Sequence, residues 1–446
     1  MVVGAARSGI AAADLLVARG AVVTLTEVRD TFDEADRLGR GGVTLELGGH
    51  RPETLASADL IVVSPGVDTE QPVFLGARDR GVEIIGELEL AWRWIQGRVI
   101  AITGTKGKST TTTLVGRMLT AAGRHVLVGG NIGVPLSAHV DASTPDTVHV
   151  VETSSFQLET TTTFRPWIAV WLNLADDHLD RHPTRDAYTA AKARIFANQT
   201  PDDWLVVNAD DATVVVEAGR AAAQRVEFAL SSRIAGGITS GFVVDGDWIV
   251  RRTSTGAQQL VPLAAVELSG RHMLNNVLAA TATASIAGAG SGAMVESLRG
   301  FTGLAHVMEP VGEVGGVRFV NDSKATNVEA ARRSIESFPR GVVAIVGGRF
   351  KGGDLRELRA PLAAHGRAVV AIGEAAPRVR EALEGVVPVV EAGSMREAVA
   401  RAYEAAAPDG IVLLAPACSS FDWFRDYAER GERFKDEVAR LQTGRG

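Results

Sequence analysis

The chain has little of what marks secreted or membrane proteins. Its 446 residues include one cysteine, Cys418, so no disulfide can form within the chain and a reducing compartment fits. No apolar run reaches the ~18–20 residues of a membrane-spanning helix, and no basic-then-apolar leader is present at the start. We therefore expect a cytoplasmic protein without a membrane span.

Blocks of basic residues are also missing. The chain has 46 Lys and Arg against 53 Asp and Glu, with a net charge of −7, so nucleic acid and anionic membranes are disfavoured as partners. The length predicts about three domains, which we place at 1–96, 97–300 and 301–446. The opening run Val2-Val3 is shorter than the ~5 residues of a typical strand, so we expect a few residues upstream of Met1.

The clearest chemistry lies in residues 99–112. An apolar strand enters a glycine-bearing turn that ends in Gly-Lys-Ser-Thr, and a helical pattern follows. Backbone N–H groups and the helix N-terminus favour phosphates there, while Lys108 adds a charge and the Ser109 hydroxyl can bind magnesium. Ile102 stands where the standard phosphate loop has its first glycine, so the motif is a shortened form. A plain strand-to-helix turn with a solvated lysine is the alternative.

Short apolar runs alternate with helical patterns over residues 1–90, which predicts a parallel sheet built from βαβ units. The loop 4–9 resembles a dinucleotide fingerprint but has Ala6 in place of its second glycine. Three strand ends, at 4–9, 27–29 and 64–66, are expected to converge on one edge, where open α/β sheets bind ligands. A tight turn without a ligand is the alternative.

The rest of the chain continues the α/β pattern. Predicted strands after the phosphate loop are 126–128, 148–152, 168–172, 205–208, 317–320, 342–346, 368–372 and 411–415, with a small β excursion at 225–266. Predicted helices are 186–198, 274–288 and an amphipathic, charged 421–442. The fold class is therefore α/β in three domains.

Polar residues follow several of these strands. Glu152 ends an apolar strand, where an unpaired carboxylate is costly to bury; magnesium at the phosphate loop would remove that cost, and pairing with a lysine or helix capping is the alternative. Segment 173–182 holds three acids and two histidines, all types that ligate metals. Lys192, from its spacing alone, is expected to be a solvated helix lysine.

Six segments resemble the Mur ligases in sequence and order: 104–110, 129–133, 154–159, 177–182, 191–196 and 321–327. The last of these and 415–422 are most similar to the family members that add D-glutamate. The resemblance implies a Rossmann-like uridine-nucleotide domain, a central P-loop ATPase-like domain and a Rossmann-like C-terminal domain. It also implies a ligase that uses ATP and two Mg²⁺ to join D-glutamate to UDP-N-acetylmuramoyl-L-alanine, through an acyl phosphate, in peptidoglycan precursor synthesis. We expect the protein to be a monomer.

The resemblance further assigns site residues. Those implied in catalysis are Lys108, Glu152, His178 and Lys192. The implied metal ligands are Ser109, Glu152, His178 and Lys192, the last as a carbamate formed with carbon dioxide. The implied ATP contacts are Gly104, Thr105, Lys106, Gly107, Lys108, Ser109, Thr110, Asn276, His306 and Asp322. The implied UDP-substrate contacts are Arg7, Ser8, Glu27, Arg29, Ser64, Pro65, Gly66, Asn131, Ser154 and Gln157. The implied D-glutamate contacts are Thr326, Lys351, Ser420, Phe421 and Tyr427.

The chain departs from the family pattern at Met273, where asparagine is common, and at Val307, where an arginine often follows His306. Three other functions remain open at this point. A related ligase for another amino acid would differ in the amine it accepts. A nicotinamide-dependent oxidoreductase gives residues 104–110 no role, and a regulatory phosphate-loop module predicts slow ATPase activity that is independent of amino acid.

Overall fold

The computed structural model describes residues 1–175, 181–182, 184–230, 237–268, 271–350 and 352–443. The chain divides into two compact units, Met1–Phe301 and Thr302–Gly446. His178, Asp176, Asp177, Asp180 and Lys351 lie outside the described residues. Within the part that is described, no helix combines the length and apolarity that crossing a membrane would require.

The first unit begins with a five-stranded parallel sheet in the order β3-β2-β1-β4-β5. Its strands are β1 Val2–Val3, β2 Thr24–Glu27, β3 Thr44–Leu47, β4 Leu60–Val63 and β5 Glu83–Gly86. Its helices are α1 Arg7–Ala18, α2 Ala35–Arg40, α3 Pro52–Ala56 and α4 Leu75–Asp79. Because strand order reverses at β1, the crevice at its carboxyl end is the expected ligand position.

A nine-stranded sheet follows in the same unit, in the order β14-β13-β12-β11-β10-β9-β6-β8-β7. Its strands are β6 Arg98–Thr103, β7 Val126–Gly130, β8 Val148–Glu152, β9 Ile168–Trp171, β10 Trp204–Asn208, β11 Gln224–Ala229, β12 Gly241–Asp245, β13 Trp248–Thr253 and β14 Gly256–Pro262. Its described helices are α5 Glu87–Trp92, α6 Lys108–Ala121, α7 Ser155–Glu159, α8 Arg185–Ala193, α9 Ala212–Ala218, α10 Arg271–Ile286 and α11 Ser291–Leu298.

The strands from β7 to β12 are parallel, and β12, β13 and β14 pair antiparallel. The segment predicted as a small β excursion, 225–266, thus supplies strands β11 to β14 at one edge of the nine-stranded sheet. Asp245 pairs with Trp248 across the two-residue turn Gly246-Asp247. The helix predicted at 186–198 is shorter, because α8 ends at Ala193 and gives way to a 3₁₀ turn over Arg194–Phe196.

The second unit holds a six-stranded sheet in the order β15-β16-β20-β17-β18-β19, in which only β15 runs antiparallel to its neighbour. Its strands are β15 Glu309–Val314, β16 Val317–Asn321, β17 Val342–Gly347, β18 Gly366–Ile372, β19 Val389–Ala392 and β20 Ile411–Leu414. Its helices are α12 Val328–Glu336, α13 Arg359–His365, α14 Ala376–Leu383, α15 Met395–Ala406 and α16 Tyr427–Thr443.

Two features of the second unit differ from the sequence predictions. The final helix begins at Tyr427 rather than at residue 421, because the segment before it folds into a loop in which Asp422 accepts a hydrogen bond from the Glu374 backbone N–H at 3.0 Å. Strands β15 and β19 were not predicted. Both lie at the sheet's edges, where a strand is less buried and its apolar pattern is weaker.

One apolar core runs through most of the first unit. It contains Val2 and Leu25 from the first sheet, Val99 and Trp171 from the second, and Leu88 from the short helix α5 between them. The two sheets therefore share packing through α5. This packing fixes how the carboxyl ends of the two sheets are placed within the unit.

Candidate active site

The phosphate loop joins β6 to α6, as predicted. Gly107 immediately precedes α6 with a left-handed φ of 82°, and a Cβ added there would collide with the Asn276 side-chain amide. Gly104 also has a positive φ, of 153°. No side chain of the described residues caps α6, so the first N–H groups of this 14-residue helix are available to an anion.

The charged residues of the loop lie where a phosphate could reach them. The Lys108 ammonium donates to the carbonyl oxygens of Gly104 at 2.9 Å and Thr105 at 3.0 Å. Lys106 is exposed, Ser109 is half-buried and Thr110 is buried. Loop and helix start thus present ammonium, hydroxyl and N–H groups together, the set that cradles phosphates.

Glu152 ends β8, whose neighbour is β6, and Glu152 pairs in register with Ile102 just before the loop. Its side chain is buried, and Oε1 accepts a hydrogen bond of 2.8 Å from the Asn131 amide. Oε2 has no hydrogen-bond partner among the described residues. A buried carboxylate oxygen without a donor is costly, and a magnesium ion is the partner that a phosphate loop supplies. The residues present therefore fit the metal.

The position of Lys192 contradicts the expectation, drawn from its spacing, that it is a solvated helix lysine. The residue is 1% exposed on α8, and its ammonium donates to the Gly104 carbonyl oxygen at 2.9 Å. It also lies 4.6 Å from the centroid of the Tyr188 ring. Lys192 is therefore a buried neighbour of the phosphate loop, and the same carbonyl oxygen accepts from Lys108. The described residues contain no cluster of three or more His, Cys, Asp or Glu that could hold a metal.

Two predicted contacts of the UDP substrate already serve as helix caps. Ser154 caps α7 by accepting from the Gln157 backbone N–H at 3.2 Å, while Gln157 Oε1 accepts from the Ser154 backbone N–H at 3.0 Å. This reciprocal pair is a capping box. It holds both side chains close to the end of β8, two and five residues beyond Glu152.

The three strand ends of the first sheet do converge. The Glu27 carboxylate accepts from the Ala5 backbone N–H at 2.6 Å, and the Ser64 hydroxyl donates to the Gly4 carbonyl at 2.9 Å. Arg29 binds both Glu27, at 3.1 Å, and the Ala5 carbonyl, at 3.2 Å. Burial alone would raise the pKa of Glu27, but Arg29 and the two backbone N–H donors lower that pKa to about 2. Glu27 is therefore anionic at neutral pH.

The remaining predicted residues of this edge lie in the loop after β4 or in the first turn of α1. Ser8 is half-buried in the first turn of α1, and Pro65 and Gly66 directly follow Ser64. Arg7 reaches further, since its guanidinium donates to the Gly133 carbonyl at 3.0 Å. Arg7 therefore links the first sheet's ligand edge to the loop that carries Asn131.

In the second unit, Asp322 and His306 lie on neighbouring loops. Asp322 is buried, accepts from the Met308 backbone N–H at 3.1 Å and also accepts from the Ser334 hydroxyl. Burial raises its pKa. His306 has a left-handed φ of 64°, and its ring meets the Tyr427 ring edge-on at 6.1 Å. Burial lowers the pKa of His306, which favours the neutral ring at pH 7.

The predicted D-glutamate residues occupy two loops of the second unit. The backbone N–H of Ala417 donates to the Ala325 carbonyl at 3.0 Å, which brings Thr326 and Ser420 onto adjacent loops. Phe421 is 53% exposed and Tyr427 is 38% exposed, so both side chains reach the surface of the unit. Lys351 lies outside the described residues.

Sequence reasoning missed two residues that organise these loops. Asn173 binds the phosphate-loop backbone through its side chain; the only sequence signal was its place just after a strand. Arg430 is fully buried and donates to Ser323 and to the Cys418 carbonyl. Desolvation lowers the pKa of Arg430 to about 10. No sequence signal marked it, because it lies within a charged helix.

Fold and site together define an α/β protein with a phosphate loop, in which a buried carboxylate and a buried lysine lie beside the loop. Three family models match successive parts of the chain: the MurD-like N-terminal domain of Mur ligases over residues 1–86, the Mur ligase middle domain over 102–284 and the Mur ligase glutamate ligase domain over 308–418. The chain belongs to the Mur ligase family.

Curated relatives cover almost the whole chain. A protein of Acidobacterium capsulatum named UDP-N-acetylmuramoylalanine--D-glutamate ligase is 47% identical over 98% of this chain and 95% of its own length. A protein of Desulfosudis oleivorans with the same name is 43% identical over 100% and 96%. Among solved structures, UDP-N-acetylmuramate-alanine ligase MurC of Thermotoga maritima superposes with a TM-score of 0.57 at 18% identity, covering 99% of each chain. That likeness shows the shared fold.

Proposed function

We propose that the chain is an ATP-dependent ligase that joins D-glutamate to UDP-N-acetylmuramoyl-L-alanine in the synthesis of peptidoglycan precursors. Three residues beside the phosphate loop carry the proposal. Lys108 and Lys192 both donate to the Gly104 carbonyl oxygen, and Glu152 ends the strand that neighbours β6. The choice of substrates is supported by full-length relatives named for that reaction. We further propose that the protein is a cytoplasmic monomer.

We propose a role for each of the three regions. Residues 1–96 would bind the uridine nucleotide through Arg7, Ser8, Glu27, Arg29 and the segment from Ser64 to Gly66. Residues 97–300 would bind ATP, and residues 301–446 would bind D-glutamate through Thr326, Lys351, Ser420, Phe421 and Tyr427. Asn131, Ser154 and Gln157 would contact the muramoyl-alanine part, and Asn276, His306 and Asp322 would lie near the adenosine.

Two magnesium ions complete the proposed site. Ser109 and Glu152 would hold the first, and the unpartnered Glu152 oxygen supports this assignment. His178 and Lys192, the latter as a carbamate, would hold the second. Bound there, magnesium neutralises the negative charge of the phosphates. Carbamylation would also convert the buried Lys192 cation into an anion suited to a hard metal.

The proposed reaction has two steps. An oxygen of the alanyl carboxylate attacks the γ-phosphorus, the bond from that phosphorus to the bridging oxygen breaks, and ADP leaves. The Lys108 ammonium and the N–H groups at the start of α6 hold the phosphates and offset their charge. The neutral amine of D-glutamate then attacks the acyl carbon, and the tetrahedral intermediate expels phosphate while the amine loses a proton to a base.

The mass of the product tests the proposal. The chain is incubated with ATP, magnesium and UDP-N-acetylmuramoyl-L-alanine, together with D-glutamate or one of several other amino acids. We expect a product heavier by one glutamate less water, and phosphate release that requires D-glutamate. Product with another amino acid only would assign a different ligase. Phosphate release that ignores amino acids would point to a nucleotide-binding module instead.

A further inference from the structure

The side-chain amide of Asn173 holds the first half of the phosphate loop. Its Oδ1 accepts hydrogen bonds from two successive backbone N–H groups, those of Thr105 at 3.0 Å and Lys106 at 2.9 Å. Its Nδ2 donates back to the Lys106 carbonyl oxygen at 3.0 Å. One side chain therefore makes three of the loop's hydrogen bonds.

This contact continues the sheet beyond its last paired residues. Strand β9 pairs with β6 up to Trp171 and Thr103, and the Leu172 N–H still donates to the Thr103 carbonyl at 3.0 Å. The Thr105 hydroxyl donates to the Ala175 carbonyl at 3.2 Å and accepts from the Ala175 N–H at 3.0 Å. The chain after β9 thus runs alongside the loop, and Asn173 lies at the middle of this contact.

The hydrogen bonds to Asn173 determine which backbone N–H groups of the phosphate loop remain for a phosphate. In a phosphate loop, successive backbone N–H groups cradle the anion. Here the N–H groups of Thr105 and Lys106 point at Asn173 instead. The N–H groups beyond Lys106, from Gly107 into the start of α6, are then the ones that face an anion, together with the Lys108 ammonium. The shortened spacing of the motif agrees with this division, because a shorter loop has fewer N–H groups to offer.

We infer that Asn173 is a positioning residue for nucleotide binding: it fixes the entry half of the phosphate loop, so that the N–H groups from Gly107 into α6 receive the phosphates. The inference deepens the proposed function and rests on its ATP-binding part. Fixing a residue's backbone costs conformational entropy, and a loop that is held beforehand does not incur this cost again when ligand binds.

Two substitutions and one matched control test the inference. Asn173→Ala removes the three side-chain hydrogen bonds, while the Thr105 N–H keeps its bond to the main-chain carbonyl of residue 173 at 3.1 Å. Asn173→Asp keeps an oxygen that can accept from the Thr105 and Lys106 N–H groups. It replaces the Nδ2 donor with an oxygen that faces the Lys106 carbonyl, and it adds a negative charge near the phosphates. Asn208→Ala is the control: Asn208 ends the next strand, donates to the Leu172 carbonyl at 2.9 Å and accepts from the Asp210 N–H at 3.0 Å.

Calorimetric titration with magnesium-ADP is the main measurement, since it needs no ligation. We expect Asn173→Ala to weaken binding about tenfold, the effect of losing roughly one to two net hydrogen bonds. Asn173→Asp should weaken it at least as much. The KM for ATP should rise in parallel, while the KM for UDP-N-acetylmuramoyl-L-alanine and the magnesium-ADP affinity of Asn208→Ala should stay within about twofold of wild type.

Two results would overturn the inference: wild-type affinity for magnesium-ADP in Asn173→Ala, or an equal loss in Asn173→Ala and Asn208→Ala. Thermal melting accompanies each titration. If the alanine variant does not fold, the isosteric aspartate variant decides, and unchanged magnesium-ADP binding there overturns the inference as well. A wild-type chain that binds magnesium-ADP but makes no glutamate-containing product refutes the proposed ligase and leaves the role of Asn173 to be decided by the same titrations.

Discussion

Glu89 provides the most direct test of how the first unit is held together. The residue lies on α5, between the two sheets, and is 0% exposed. Its carboxylate accepts from the backbone N–H groups of Thr162, Thr163 and Phe164 at 2.9–3.1 Å, and from the hydroxyls of Thr162 and Thr163 at 2.8 and 2.6 Å. Five donors from one segment thus meet a single carboxylate.

The substitution Glu89→Gln keeps the size of the side chain but removes its charge. One end becomes an NH₂ donor that faces N–H donors, so at least two hydrogen bonds are lost. A hydrogen bond to a charged group contributes about 1.5–3 kcal/mol, and an unsatisfied buried donor costs about 1–3 kcal/mol. Since hydroxyls can turn away and water can enter, we expect a total loss of about 3–5 kcal/mol in the free energy of unfolding, as for breaking a buried ion pair.

Urea denaturation measures this loss. The ring of Trp92 meets the ring of Phe164 edge-on at 5.7 Å, so tryptophan fluorescence should report the same region. Glu70→Gln is the matched control, since Glu70 pairs with Arg78 at 2.6 Å while its side chain is 76% exposed. An exposed pair contributes about 0–1 kcal/mol. A loss below about 1 kcal/mol in Glu89→Gln, or one equal to that of the control, would refute the reasoning.

The effect should also depend on pH. Burial alone would raise the pKa of Glu89, but hydrogen bonds from Thr163 and Thr162 outweigh it, and the pKa lies below its ordinary value. A depressed carboxyl pKa stabilises the folded state above the unfolded pKa of about 4.5, and the gain is lost as pH falls through the folded pKa. The stability difference between wild type and Glu89→Gln should therefore be largest at neutral pH and shrink on acidification below about pH 4.5.

Three further predictions concern the site and the single thiol. Gly107→Ala should lower magnesium-ADP affinity about tenfold or more, because its Cβ meets Asn276, whereas Gly123→Ala, with a φ of 76° but open space around it, should leave that affinity unchanged. Lys192→Ala should lower ligase turnover about 10²-fold or more, with partial rescue by acetate or formate if a carbamate is what is lost; full activity would refute its role. Burial raises the pKa of Cys418 to about 12, so a disulfide reagent at pH 8 should react slowly with the native chain and fully in urea, and fast native labelling would contradict its burial.

The parallel strands were predictable because strands covered on both faces are nearly continuous apolar runs. Val148–Glu152 is an example, since its predicted and observed bounds agree. The phosphate loop was also predictable from the sequence, because its glycines and Lys108 form a local motif. The convergence of the loops that follow the strands of the first sheet was also predictable, since parallel strands end at the same edge of a sheet.

The burial of Lys192 could not be predicted from the residues alone. Helical spacing gives the face on which a side chain lies, but not what packs against that face. Only the fold brings α8 to the Gly104 carbonyl. Arg430 is a similar case: the charge pattern of the last helix predicts exposure, yet the guanidinium is buried against Ser323 and Cys418. The role of Asn173 was likewise not predictable, because its hydrogen bonds join two chain segments that are distant in sequence.

The Arg7–Gly133 hydrogen bond and the Arg181–Asp68 ion pair, at 3.0 and 2.9 Å, both join the first sheet's region to the second. With the shared core at α5, they set a fixed spacing between the 4–9 loop and the phosphate loop. A molecule that occupies both loops at once must match that spacing. For inhibitor chemistry, the length and stiffness of the linker between two weakly binding fragments should therefore matter more than the strength of either fragment.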